Sequence, residues 1–85
     1  MKQLITEDHI NNGIRNDSRY CPIALSLKDK YPQATTIEAE YIGIEIEFEE
    51  GNSIRFYLGN NAYDFMSKFD EGHEIEPCII DLKYS

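Results

Sequence analysis

From Ile42 to Phe48 the chain alternates strictly, with Ile42, Ile44, Ile46 and Phe48 interleaved by Gly43, Glu45 and Glu47. A period of two marks a strand with one buried and one wetted face, so Ile42–Glu49 is predicted as a strand. Thr35–Tyr41 alternates too, placing Ile37, Ala39 and Tyr41 inward and Glu38 and Glu40 outward. The phase changes at Tyr41-Ile42-Gly43, which predicts a turn or bulge there. Glu50-Gly51-Asn52 is a hairpin turn signal. Ser53–Leu58 then returns, with Ile54, Phe56 and Leu58 in and Arg55 and Tyr57 out.

The rest of the chain reads as short helices between two outer strands. Lys2–Ile5 is a short first strand. Thr6 is placed to cap a helical turn or two, with acids in the first turn and Gly13 as a left-handed stop. Asn16-Asp17-Ser18 is a polar turn. Pro22 suits the first position of a helix, because its φ is already helical and its missing N–H would have been unpaired. That helix runs on through Tyr31, with Ile23, Leu27 and the Ala24/Tyr31 side toward a core. Lys28 and Lys30 sit near its negative end and Pro32 stops it. Asn60 or Asn61 is the expected cap of a further helix, Ala62–Phe69, in which Ala62, Phe65, Met66 and Phe69 share one face. Gly72 ends it. After Pro77, Cys78–Tyr84 is a last strand with Cys78, Ile80, Leu82 and Tyr84 on one side. The order β, short α, α, β, β, β, α, β predicts an α+β fold. Its form is an antiparallel sheet of three to five strands with two main helices packed on one face, in a single domain over residues 1–85.

Composition narrows the class. With 85 residues and 41% hydrophobic content, one thin core is expected. No stretch approaches the roughly 20 apolar residues that span a bilayer, and Met1–Asp8 lacks the apolar run of a secretory signal. A cytoplasmic protein that does not contact membrane is the expectation. Cys21 and Cys78 show no Cys-x-x-Cys spacing and are expected as free thiols. His9 and His73 are isolated, so neither a metal nor a cofactor is expected.

Net charge is −8 and unevenly spread. Residues 1–37 hold five Lys/Arg against four Asp/Glu, whereas residues 38–58 hold six Glu against Arg55 alone. Such a surface repels nucleic acid and attracts a basic groove. Within it, Glu38, Glu40, Glu45, Glu47, Glu49 and Glu50 form the main candidate site, a comb of carboxylates on one face of a β-ribbon. It can serve as a solvated face that keeps edges from pairing, or as an anionic patch imitating a row of phosphates. Tyr57, outward beside Arg55, is the aromatic contact to watch.

A second candidate is the only locally positive segment, Arg15 to Cys21. Arg15 and Arg19 beside a helix N-terminus, with Tyr20 to stack, suggest a site for a nucleotide-like anion. That reading makes the protein an oligomeric small-molecule sponge or sensor. The plain alternative is a loop whose arginines pair with nearby acids. Cys21 at the helix start is better read as a packing residue than as a nucleophile, which would also need a base and an oxyanion site. No glycine-rich phosphate loop, nucleophile elbow or histidine–carboxylate motif is present, and one sheet layer leaves little room for an enclosed cavity. A catalytic function is not expected.

Cys21-Pro22-Ile23-Ala24-Leu25-Ser26-Leu27, preceded by His9 to Ile14, resembles a family of short bacteriophage and bacterial proteins with a Cys-Pro-(Ile/Val)-Ala-Leu-(Ala/Ser)-Leu run. Arg55-Phe56-Tyr57-Leu58, Ala62 with Phe65, Phe69-Asp70-Glu71-Gly72 and Pro77 extend the resemblance over nearly the whole chain. It departs at Leu58-Gly59, where such proteins often have Leu-Pro. The family brings no assigned reaction; what the resemblance implies is a small, cytosolic, often phage-borne context. Charge and resemblance together lead to one expectation. It is a non-enzymatic phage-type inhibitor of a bacterial defence or nucleic-acid-processing factor, anti-CRISPR-like, that covers the basic surface of a host protein. The chain leaves room for a homo-oligomer.

Overall fold

The computed structural model describes residues 1–85. Five strands and three helices follow one another along it: β1 (Lys2–Ile5), α1 (Glu7–Asn12), α2 (Pro22–Lys30), β2 (Ala34–Glu40), β3 (Gly43–Phe48), β4 (Ser53–Leu58), α3 (Asn60–Asp70) and β5 (Cys78–Tyr84). The strands form one antiparallel sheet in the order β1-β5-β4-β3-β2. This is the predicted α+β class, at the upper end of the expected strand number.

The sheet is curled. Helix α2 packs against β1 and β2, the two edge strands, while α3 lies on β4 and β5 and α1 packs on α2. Most of the apolar alternation therefore points to one side. Ile5, Ile37, Ile44, Ile46, Phe56, Ile80 and Leu82 meet Ile23, Ala24, Leu27, Ala62, Phe65 and Met66 in a single core. Two polar side chains are carried inside with partners. Gln3 Nε2 donates to Ser26 O (3.1 Å) and Ser26 Oγ donates to Ile23 O (2.7 Å), so no buried side-chain polar atom is left unpaired.

Three local expectations need correction. Gly13 is extended (φ −71°, ψ 150°), not left-handed. It is required for close approach instead, since a Cβ there would lie 2.6 Å from Pro22 Cγ. Tyr41 does not point inward: β2 ends at Glu40, and Tyr41 and Ile42 are the two turn residues before Gly43. Gly43 adopts φ 154°, open to glycine and poor for other residues. The turn expected at Tyr41-Ile42-Gly43 is present, and a bulge lies separately at Thr35, between the Ala34–Phe48 and Thr36–Glu47 partners. Helix α3 is capped by Gly59. Asn61 is diverted to β5, donating to Ile79 O (3.1 Å) and accepting from Asp81 N–H (2.8 Å).

Thr6 caps α1 as expected, within a reciprocal box. Thr6 Oγ1 accepts from His9 N–H (3.3 Å) and His9 Nδ1 accepts from Thr6 N–H (2.9 Å). Gly72 (φ 87°) closes α3, with His73 N–H donating to Lys68 O.

Candidate functional site

The outer sheet face carries every second residue of each strand. Register places Glu38 of β2 directly opposite Glu45 of β3, and Glu45 opposite Arg55 of β4. Facing glutamates destabilise a strand pair; here each has its own arginine. Arg19 Nη2 lies 3.2 Å from Glu38 Oε1, and Arg55 Nε lies 3.3 Å from Glu45 Oε2. The row reads Arg19, Glu38, Glu45, Arg55, and its charge cancels internally. Both glutamates are half-buried by this arrangement.

The comb is therefore smaller than the sequence implies. Glu40 and Glu47 remain exposed, on the same outer face and without an ion-pair partner. Glu49 and Glu50 are exposed too, but they belong to the β3–β4 turn rather than to the strand. Tyr57 is 56% exposed on the outer face, opposite Lys83 of β5. Beyond Lys83 the face continues through an Asp81–Lys2 ion pair at 2.6 Å, in which Lys2 holds the Asp81 carboxyl below its ordinary range. The exposed Leu4 and Ile79 face each other next to it. The face is thus anionic at the β2–β3 end and mixed at the β1–β5 end.

The Arg15–Cys21 loop does not form one anion site. Arg15 is turned toward the end of α3, where a Cβ added at Gly72 would meet its Nη1 at 3.2 Å. Arg19 and Tyr20 line a separate groove of about 210 Å³ between α2 and β2. Arg19 is there committed to Glu38, and Lys28, on the same groove, donates to Ala34 O (2.6 Å). Within the loop, Asp17 Oδ1 accepts from the N–H groups of Arg19 and Tyr20, an Asx turn. Cys21 precedes α2 and is buried. Burial pushes its thiol up, and this outweighs the lowering effect of the Ala24 and Ile23 amides. Its thiolate is disfavoured where a nucleophile would need it.

Two arrangements escape the sequence. His9 Nε2 lies 2.6 Å from Asp29 Oδ2, across 20 residues. The pair looks like a catalytic dyad, but Nδ1 already accepts the Thr6 amide in capping α1, and Nε2 ties α1 to α2, so both ring nitrogens are engaged structurally. The second is Asp70, at the last turn of α3. Its Oδ1 accepts from Asn16 N–H (2.9 Å) and its Oδ2 from Tyr41 O–H (2.7 Å). One carboxylate thereby joins the loop before α2, the β2–β3 turn and α3. Tyr41 also packs edge-on to Tyr63, with ring centroids 5.1 Å apart. Burial, then the hydrogen bond and charge of Asp70, raise the Tyr41 phenol to about 12.

Around this junction opens the cleft with Cys21, Ala39 and Met66 at its base and Asp17, Glu40 and Asp70 on its walls, about 400 Å³ in volume. No signal of local periodicity could have found it, because its walls come from the loop before α2, the end of β2, and α3. No group of three His, Cys, Asp or Glu side chains is placed to hold a metal ion, and no helix is long and apolar enough to cross a membrane.

No family model, curated protein or solved structure matches the chain.

Proposed function

We propose that this protein is a non-enzymatic acidic binding protein that docks its β2–β3 ribbon on a basic surface of a protein partner and occludes that surface stoichiometrically. The carrying observation is that Glu40, Glu47, Glu49 and Glu50 stay exposed and unpaired along the β2–β3 ribbon, Glu40 beside its β2–β3 turn and Glu49 and Glu50 at its opposite end, after the chain's own arginines have taken up Glu38 and Glu45. Unpaired charge of one sign along a ribbon steers association and selects complementary partners more than it adds raw affinity. Tyr57, two strands from Glu38 on the same face, supplies the aromatic contact that such an interface needs. The resemblance to short phage-borne proteins supports the finer version, an anti-CRISPR-like inhibitor of a bacterial defence or nucleic-acid-processing factor in the host cytoplasm.

The test compares wild type with Glu40→Lys/Glu47→Lys in capture from bacterial lysate at low and high salt. Capture of a basic protein that is released by salt and lost in the variant is expected. Melting should be unchanged, because exposed unpaired residues away from the core contribute within about 0.5 kcal/mol. A variant that captures the same proteins with the same salt dependence overturns the proposal.

A further inference from the structure

We infer that the cleft between the loop before α2, the end of β2 and α3 receives an arginine side chain of the basic partner and anchors the docking proposed above, on which this inference rests. Charge and shape there select one chemistry. The base is apolar, formed by the buried Cys21, Ala39 and Met66. The walls carry Asp17, Glu40 and Asp70, none of them in an ion pair, and no lysine or arginine lines the cleft. An anion is repelled by these walls, and a bare cation gains nothing from the base. A side chain with a methylene stem and a cationic head satisfies both.

The volume of about 400 Å³ lies within the range of small-ligand clefts, so a long side chain enters without displacing the core. The walls are also held in place beforehand. Asp70 is fixed by Asn16 N–H and Tyr41 O–H, and each of its oxygens retains a lone pair for a second donor. The Tyr41 ring lines the same cleft and can take the face of a cation. A planar guanidinium reaches Asp70 and Glu40 with several donors at once, which a lysine ammonium does so less well. Glu40 belongs both to the cleft wall and to the exposed outer face of the ribbon, so the anchor and the anionic surface are contiguous.

The test is a two-dimensional amide NMR titration of the full chain with N-acetyl-arginine methylamide, set against its uncharged citrulline counterpart. Saturable shifts are expected at Asn16–Ser18, Ala39–Tyr41 and Asp70, with a Kd on the order of 1 mM, as for a single isolated side chain. Binding should weaken about tenfold with citrulline, the loss of one charge-assisted contact. Glu40→Gln, exposed and unpaired in the fold, should weaken arginine binding several-fold, which keeps the test decisive if Asp70 variants do not fold. Equal shifts with citrulline, unsaturable shifts, or an unaffected Glu40→Gln overturn the inference. Arginine titration without partner capture would instead remove the docking proposal, and loss of capture in Glu47→Lys without arginine titration would remove only the anchor.

Discussion

Two acidic regions of this molecule are built in opposite ways. The β2–β3 ribbon gathers its glutamates from a single stretch of chain and then loses two of them to Arg19 and Arg55. The Asp70 junction gathers Asp17, Glu40 and Asp70 from three distant segments and neutralises none of them with a cation. Formal charge along a sequence is therefore a poor guide to charge on the surface. The contiguous stripe is partly cancelled, while the dispersed acids form the more concentrated anionic concavity. Asp70 also differs in its mechanical role. It carries two hydrogen bonds from separate elements, whereas each ribbon glutamate that is paired holds one exposed arginine.

The largest effect that separates the two regions is on stability. Asp70→Ala should destabilise the protein by about 1–2 kcal/mol in urea denaturation, because two donors lose a charged acceptor that water replaces only in part at these exposed positions. A value below about 0.5 kcal/mol would place the junction on the same footing as the ribbon. Tyr41→Phe removes only one of those bonds and should cost about 1 kcal/mol. If it costs as much as Asp70→Ala, the contact from Asn16 contributes nothing.

For the ribbon, a double-mutant cycle on Glu45 and Arg55 should give a coupling of about 0.2–1 kcal/mol that fades with added salt, as for exposed ion pairs. A coupling that persists at high salt would show a desolvated network instead. The smallest effects are titrations. The folded-state pKa of Tyr41 is raised, so its contribution to stability is complete below the ordinary tyrosine pKa and lost as pH rises through about 12. Absorbance should show Tyr41 ionising late, beside a Tyr31 that burial also raises, and Asp70→Asn should bring the Tyr41 step earlier. Asp81 has the opposite sign. Its folded pKa is lowered by Lys2, so its contribution is present above the ordinary carboxylate pKa and lost as pH falls through the folded value. Lys2→Met should move the Asp81 titration toward the ordinary range, the N-terminus and Lys83 still lowering it.

Much of the fold could be read from local pattern. The alternation in Ser53–Leu58 and Cys78–Tyr84 gives strands, Pro22 starts α2, and the Ala62/Phe65/Met66/Phe69 face gives the buried side of α3. Errors fall where a local signal had two outcomes. Tyr41 continues the inward phase of β2 but sits in a two-residue turn, where Gly43 reverses the chain first. Asn61 is a good cap residue by type, yet β5 offers its amide a donor and an acceptor at once. Tyr84 keeps the inward phase of β5, but at the strand end it is 70% exposed, with its ring tilted against Phe56.

The sequence by itself determined the period of each element and hence which side chains share a sheet face, because side-chain direction follows from backbone geometry over a few residues. It placed Glu38, Glu40, Glu45 and Glu47 together for that reason. Tertiary structure alone decided which carboxylates are paired and which stay free. Arg19 reaches Glu38 across 19 residues, and Asp70 meets Tyr41 and Asn16 across 29 and 54. Ion pairing and shared hydrogen bonds depend on distance in space, which the curl of the sheet around α2 sets and no local period encodes.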